Sequence, residues 1–459
     1  MDPIARHKQV VKSIPYHQPP LPRGNGNIRL LRLIPNKNKT AIIKCQLFNY
    51  FLELDKSTHL YDALSYVWGN PNETLPIFID GHVLHITTSL HAALLRLRDH
   101  SFERIIWVDA VYINQANEEE KEHQIQSMAR IYGQANRVIV WLGNAGDDSN
   151  QALETIRSVA EDESTNVSNN QEAILALFQR PWFERIWVLQ EVAAARHVLI
   201  MCGSAEIDGY AFCLGLELLK GFFETRKDLH GLIHSITYLI RGAIFRPKYA
   251  TSRSGTNSLN ICPLGELIDM YHTRKATKLH DKVYALLGMS SVDGSRAGLS
   301  PNYGVEWKEL LQQLVKFLLH ERVSVEEGPE KEIAVIRSKG CILAQVSSVK
   351  SDVTRDNRQK VNIFLKNTPG RLGHNKTHDV QWTLNVSAKK VEKGDIVCLL
   401  QGAPKPVIVR PCKDYFAVIR IAAFPKNKPT ESGDTEWSEL LQSITVFPRD
   451  FLLLWDWTE

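Results

Sequence analysis

The feature that most narrows what this chain can fold into is an alternation. From Tyr61 to about Gly203, apolar strand-like runs interleave with stretches of helical periodicity. The strand-like runs are ALSYVWG (63–69), RIIWVDA (104–110), RVIVWLG (137–143) and HVLIMCG (197–203). Each is nearly continuous in apolar residues, the pattern of a strand covered on both faces. Between them, SLHAALLRLRD (89–99) places Leu90, Leu94 and Leu97 on one face, and QIQSMARIYGQA (124–135) does the same with Ile125, Met128 and Tyr132. PWFERIWVLQEVAAA (181–195) opens with Pro and carries a dense apolar face, which predicts one helix. Strands alternating with helices predict an α/β domain, a parallel sheet with helices packed on it, over 60–205.

The flanks read differently. Residues 1–59 combine a polar, Pro- and Gly-rich arm with two apolar runs, IRLLRLIP and AIIKCQLFNYFLEL, which predict a β lead-in. Residues 206–328 are mainly helical in pattern, ending in the amphipathic WKELLQQLVKFLL. Residues 329–459 switch to strand periodicity in CILAQVSSV, VNIFLK, DVQWTLNVS, DIVCLLQG, PVIVRP and YFAVIRIAAF, a β-rich C-terminal unit.

Composition removes several function classes. Lys plus Arg is 55 against 51 for Asp plus Glu, a net charge of +4, too balanced to favour binding of nucleic acid by the whole chain. The 7 cysteines include no CxxC pair and fit reduced thiols better than a disulfide framework. MDPIARHKQVVKSIPYHQPP has charges and prolines where a secretory leader needs an apolar stretch. No run of about 18 apolar residues suggests a membrane span. The expected location is cytoplasmic.

The common nucleotide and hydrolase signatures, GxxxxGK[ST], GxGxxG after a strand, HExxH and GxSxG, do not occur. What remains is a set of polar and aromatic residues at the C-terminal ends of the predicted parallel strands, the edge where open α/β sheets bind ligands. Tyr66, Trp68 and Gly69 follow the first strand, and Asp109 and Asn114 follow the second. Arg185, Trp187 and Glu191 come from the last helix, where Trp187 and Glu191 are four apart and share a face. A partly desolvated carboxylate there suits stabilisation of an oxocarbenium-like centre in N-glycosidic cleavage. Each residue also has a structural reading, which the pattern by itself favours. Trp68, Trp107, Trp141 and Trp187 sit in apolar runs as core residues do. Asp109 suits a local cap, Glu191 a partner for Arg185, and the acids of EEEKEH (118–123) a solvated helix start.

Three blocks, YDALSYVWGN (61–70), IIWVDAVYINQANEEEKEHQIQSMARIYGQANRVIVWLG (105–143) and RPWFERIWVLQEVA (180–193), resemble the fungal heterokaryon incompatibility (HET) domain. DKVYALLGM (281–289) and GDIVCLLQGAPKPVIVRP (394–411) resemble the segments that follow that domain. Tyr112 stands where the family usually has Cys, which argues against a catalytic thiol. The resemblance implies a distant relation to TIR domains, and with it a flavodoxin-like sheet. It implies a role in programmed cell death after non-self fusion, and Glu191 as a catalytic glutamate of the Trp-x-x-x-Glu type. The implied substrate is NAD, cleaved at the nicotinamide–ribose bond. Tyr66, Trp68 and Trp187 would then shape the base pocket, Gly69 and Arg185 would join them in binding substrate, and Asp109 and Asn114 would line the loop. No metal or resident cofactor is implied. The implied partners are a second copy of the chain or an incompatibility partner. A different class stays open, a non-enzymatic signalling adaptor in which Glu191 is structural. Nucleic-acid binding through the basic loop at 246–253 is the least favoured.

Overall fold

A computed structural model of the chain describes residues 26–52, 59–112, 118–162, 170–219, 227–243, 250–251, 257–291, 299–328, 330, 332–352, 358–365, 379–385, 387–423 and 441–458. The chain forms two compact units, Met1–Leu259 and Asn260–Glu459. The arm at 1–25 lies outside the described residues, as does nearly all of the basic loop at 246–253.

The first unit is built on one nine-stranded sheet. Its strands are β1 (Asn27–Leu33), β2 (Lys44–Phe51), β3 (Asp62–Tyr66), β4 (Thr74–Ile79), β5 (His82–Thr87), β6 (Arg104–Trp107), β7 (Val138–Trp141), β8 (Val198–Cys202) and β9 (Ala205–Asp208). They lie in the order β5-β4-β2-β1-β6-β3-β7-β8-β9. The helices are α1 (Thr88–Leu97), α2 (Asp109–Tyr112), α3 (Glu118–Gln134), α4 (Ser149–Glu161), α5 (Gln171–Phe178), α6 (Trp187–Ala194), α7 (Gly209–Leu218) and α8 (Lys227–Ala243). A short pairing of β10 (Ala250–Thr251) with β11 (Asn257–Ser258) closes the unit.

The four runs read as parallel strands are β3, β6, β7 and β8, and they do pair in parallel. Every residue of β3 and β7 is buried, as continuous apolar runs require when helices cover both faces. Strand order reverses at β3, with β6 on one side and β7 on the other. Leu90, Leu94 and Leu97 of α1 are buried, and so are Ile125, Met128 and Tyr132 of α3.

The structure differs from the expectation in four respects. It is mixed and wider than a parallel sheet, because the lead-in strand β1 pairs antiparallel with β6 and joins the same layer. A hairpin, β4–β5, extends it further. The hairpin turns at Asp80 (φ 50°) and Gly81 (φ 83°), the left-handed pair that tight Asp-Gly turns adopt. The predicted helix over 181–195 is interrupted. Pro181–Glu184 form a 3-10 turn, Arg185 is extended at ψ 141°, and α6 starts at Trp187. Finally, Glu120 is not simply a solvated helix-start acid. It accepts a 2.8 Å ion-paired hydrogen bond from Arg29, which β1 holds 2% exposed.

The second unit has helices α9 (Leu264–Tyr271), α10 (Asp281–Leu287) and α11 (Trp307–Leu319). Its sheet is eight-stranded: β12 (Ser324–Glu327), β13 (Ile333–Asp352), β14 (Arg358–Leu365), β15 (Asp379–Asn385), β16 (Ile396–Leu400), β17 (Val407–Pro411), β18 (Phe416–Arg420) and β19 (Arg449–Asp456). β13 pairs with both β16 and β19, which closes a circuit β13-β16-β17-β18-β19. Register shifts within the 20-residue β13 let one strand serve several partners, since a bulge bends and twists its strand.

Candidate functional site

The residues that gather at the C-terminal edge of the parallel strands begin with β3. Ser65 and Tyr66 end that strand, both buried at 1% and 2% exposure. The chain then leaves the sheet through Val67, Trp68 and Gly69. Gly69 has φ +77°, which its lack of a Cβ permits. The Ser89 hydroxyl of α1 donates to the Val67 carbonyl at 2.6 Å and fixes this exit. Trp68 is 37% exposed, so it is not the core residue its apolar run suggests, whereas Trp107 and Trp141 are.

Asp109 opens α2 just past β6 and is half-buried. Its Oδ1 accepts the Ala110 N–H at 2.7 Å, the local cap expected of an Asp there. Its Oδ2 accepts the Trp68 indole N–H at 2.7 Å, which ties two strand exits together. The Tyr66 hydroxyl lies beside Asp109.

Glu191 comes from α6 and is 3% exposed. The Ser65 hydroxyl donates to its Oε2. Ser65 in turn accepts the Trp182 indole N–H at 2.8 Å. The break before α6 explains how one segment reaches both places. Trp182 lies in the 3-10 turn, and Arg185, at the extended position, turns its guanidinium to the Tyr66 carbonyl. Tyr132 of α3 closes the inner side. Its hydroxyl donates to the Leu64 carbonyl at 3.1 Å and its ring meets Trp107 edge-on. Arg180 holds the neighbouring exit after β7 by donating to the carbonyls of Leu142, Asn144 and Gly146.

The electrostatics follow from burial. Loss of solvent pushes the Glu191 carboxyl up to about 7. The Arg185 charge and the Ser65 hydrogen bond act against that rise, and the nearby Asp109 adds to it. Asp109 is raised by burial as well, opposed by Arg185 and the Trp68 donor. Burial and then Asp109 keep Tyr66 well above its ordinary range, so it remains a protonated donor. One arginine thus serves two desolvated carboxyls, an arrangement common where acid–base or charge-stabilising chemistry is done.

Of the residues singled out in the sequence, Tyr66, Trp68, Gly69, Asp109, Arg185 and Glu191 lie at this edge. Trp187 is half-buried one turn ahead of Glu191. Asn114 lies outside the described residues. Ser65 and Trp182 are not among the residues the sequence singles out, and Tyr132 is read there only as part of an apolar helix face. A hydroxyl inside an apolar strand run was a readable signal for Ser65, but spacing carries none for Trp182. Among the described residues, no group of three or more His, Cys, Asp and Glu is arranged to hold a metal ion. No helix among them is long and apolar enough to cross a membrane.

Residues 61–191 match the family described as Heterokaryon incompatibility protein (HET). That match starts at the residue before β3 and ends on Glu191, so the HET-type segment contains the described side chains of the candidate site. The chain is also similar to heterokaryon incompatibility protein 6, OR allele, of Neurospora crassa, with 26% identity over 348 residues. The similarity covers 60% of this chain and 49% of the relative, so the chain spans about half the length of the curated relative it matches. No solved structure matches.

Proposed function

We propose that this chain is a fungal incompatibility protein that triggers cell death from the cytoplasm, and that it cleaves the nicotinamide–ribose bond of NAD at Glu191. The observation that carries the chemical part is the desolvated Glu191 carboxyl, held beside Arg185 and Asp109 at the sheet edge. The HET-type match and the similarity to heterokaryon incompatibility protein 6 support the biological part.

In this reading, NAD enters past Trp68 and Gly69. Trp68 offers an aromatic face to the base or the nicotinamide ring. As the C1′–N bond breaks, the electron pair leaves with nicotinamide and positive charge builds on the ribose. The ionised Glu191 carboxylate stabilises that charge in a site from which water is largely excluded. Water then adds at C1′ and loses a proton, giving ADP-ribose. A second copy of the chain completes the active assembly.

A second reading has its own observation. At 3% exposure, with Oε2 occupied by Ser65, Glu191 also fits a carboxyl that ties α6 to β3 in a non-enzymatic adaptor. NAD consumption by purified protein, with and without crowding to promote assembly, separates the two readings. Nicotinamide release by wild type and none by Glu191→Gln supports NAD cleavage. No release under any assembly condition, with cell killing intact in both proteins, selects the adaptor.

A further inference from the structure

The chain from Trp182 through Ser65 to Glu191 has a directional consequence. An indole N–H can only donate, and a serine hydroxyl has a single proton to give. With the Trp182 N–H at 2.8 Å from Ser65 Oγ, an acceptor position of the serine is taken. The serine proton is then directed to Glu191 Oε2. All three side chains are buried, at 1%, 1% and 3% exposure, so water competes weakly for these bonds. They come from three places, β3, the 3-10 turn and α6, so no local sequence preference accounts for their meeting.

We propose that Ser65 and Trp182 are positioning residues for Glu191. The indole fixes the serine rotor, and the serine pins Oε2, so that Oε1 is the oxygen presented to an incoming group. This rests on the reading of Glu191 as the reacting carboxylate. A hydrogen bond to the ionised form favours that form, so the pair also holds Glu191 more acidic than burial alone would leave it. The other charged or titratable groups around Glu191 are Arg185 ahead of α6, Asp109 beyond β6, Tyr66 of β3 and Tyr132 of α3. The described buried side chains of α8, which packs on α6, are apolar: Ile233, Ile236, Leu239, Ile240 and Ala243.

The test is the Glu191 titration midpoint in the full-length protein, read from the carboxyl infrared band with Glu191→Gln as the assignment control. Nicotinamide release from NAD is followed across pH in parallel. Ser65→Ala is expected to raise the midpoint by about one pH unit, a tenfold change in the ionisation constant. Ser65→Thr, which keeps the hydroxyl, returns it to within a few tenths. Trp182→Phe frees the rotor and raises it by a smaller amount, and it carries the test alone if Ser65→Ala does not fold. A midpoint unmoved in Ser65→Ala and Trp182→Phe, with only thermal stability lowered, overturns the proposal. If the midpoint moves but wild type releases no nicotinamide, the positioning role stands and NAD cleavage falls. If wild type turns over NAD and the midpoint does not move, NAD cleavage stands and the positioning role falls.

Discussion

Trp68 and Asp109 leave the sheet from adjacent strands, and the indole N–H of one meets Oδ2 of the other at 2.7 Å. The bond joins the exit of β3 to the start of α2, so the mouth of the candidate site is a linked pair rather than two separate loops. Trp68 is 37% exposed, so part of its ring is open to solvent while its N–H is engaged.

Trp68→Phe keeps an aromatic face and removes that donor. The lost hydrogen bond should cost about 1 kcal/mol or less. The Asp109 carboxyl should become harder to ionise, because the indole donor holds it down. If the ring is the platform for NAD, Trp68→Ala should raise KM about tenfold and Trp68→Phe by less, since stacking contributes on the order of 1 kcal/mol. Steady-state kinetics of the two variants check this.

Stability and turnover should respond to pH in opposite directions. An unfolded glutamate titrates near ~4.3, and in the fold burial raises Glu191 to about 7. The folded state therefore keeps a proton that the unfolded state releases between those values. Its stabilising effect is complete below the unfolded value and is lost as pH rises through about 7. Denaturant titrations from acidic to neutral pH should show wild type losing on the order of 3 kcal/mol relative to Glu191→Gln. Part of the pH dependence should persist in the variant, because burial also raises Asp269, in the second unit, to about 7. NAD cleavage, which needs the ionised carboxylate, should rise as pH passes through about 7.

Gly215 marks where α7 lies against α4. A Cβ at this position would come 2.2 Å from the Ile156 carbonyl oxygen, an approach that only backbone movement could relieve. Gly215→Ala should therefore destabilise the first unit by about 1–3 kcal/mol, despite the better helix propensity of alanine. Thermal or chemical unfolding measures it directly.

In the second unit Asp269 is 1% exposed and accepts the Ile421 N–H at 2.9 Å and the Ala422 N–H at 3.4 Å. The buried Arg420 guanidinium contributes a favourable charge to it. Asp269→Ala strands those donors and that charge, which should cost roughly 3–5 kcal/mol. Asp269→Asn keeps an acceptor and should cost less. The ordering of the two variants in a denaturant series is the check.

The elements of the fold were legible because they depend on short-range periodicity. Four continuous apolar runs gave the parallel strands, and Leu90, Leu94 and Leu97 gave the inner face of α1. The β4–β5 hairpin is not among the sequence expectations, although its signal is equally local: the apolar TLPIFI, the turn dipeptide Asp80-Gly81 and then HVLHIT. The break at Arg185 was not legible, because the apolar pattern runs through it unchanged and the contact that accompanies it is with the Tyr66 carbonyl.

The sequence by itself determined the four parallel strands and the apolar faces of α1 and α3, and it placed Tyr66, Trp68 and Asp109 at or just past strand ends. Only the tertiary structure decided that Ser65 and Glu191, 126 positions apart, share a hydrogen bond, and that Trp182 completes the chain. Periodicity is a property of neighbours along the backbone. The charge state of Glu191 is a property of what surrounds it in space: lost solvent, one arginine and one hydroxyl, each delivered by a different segment.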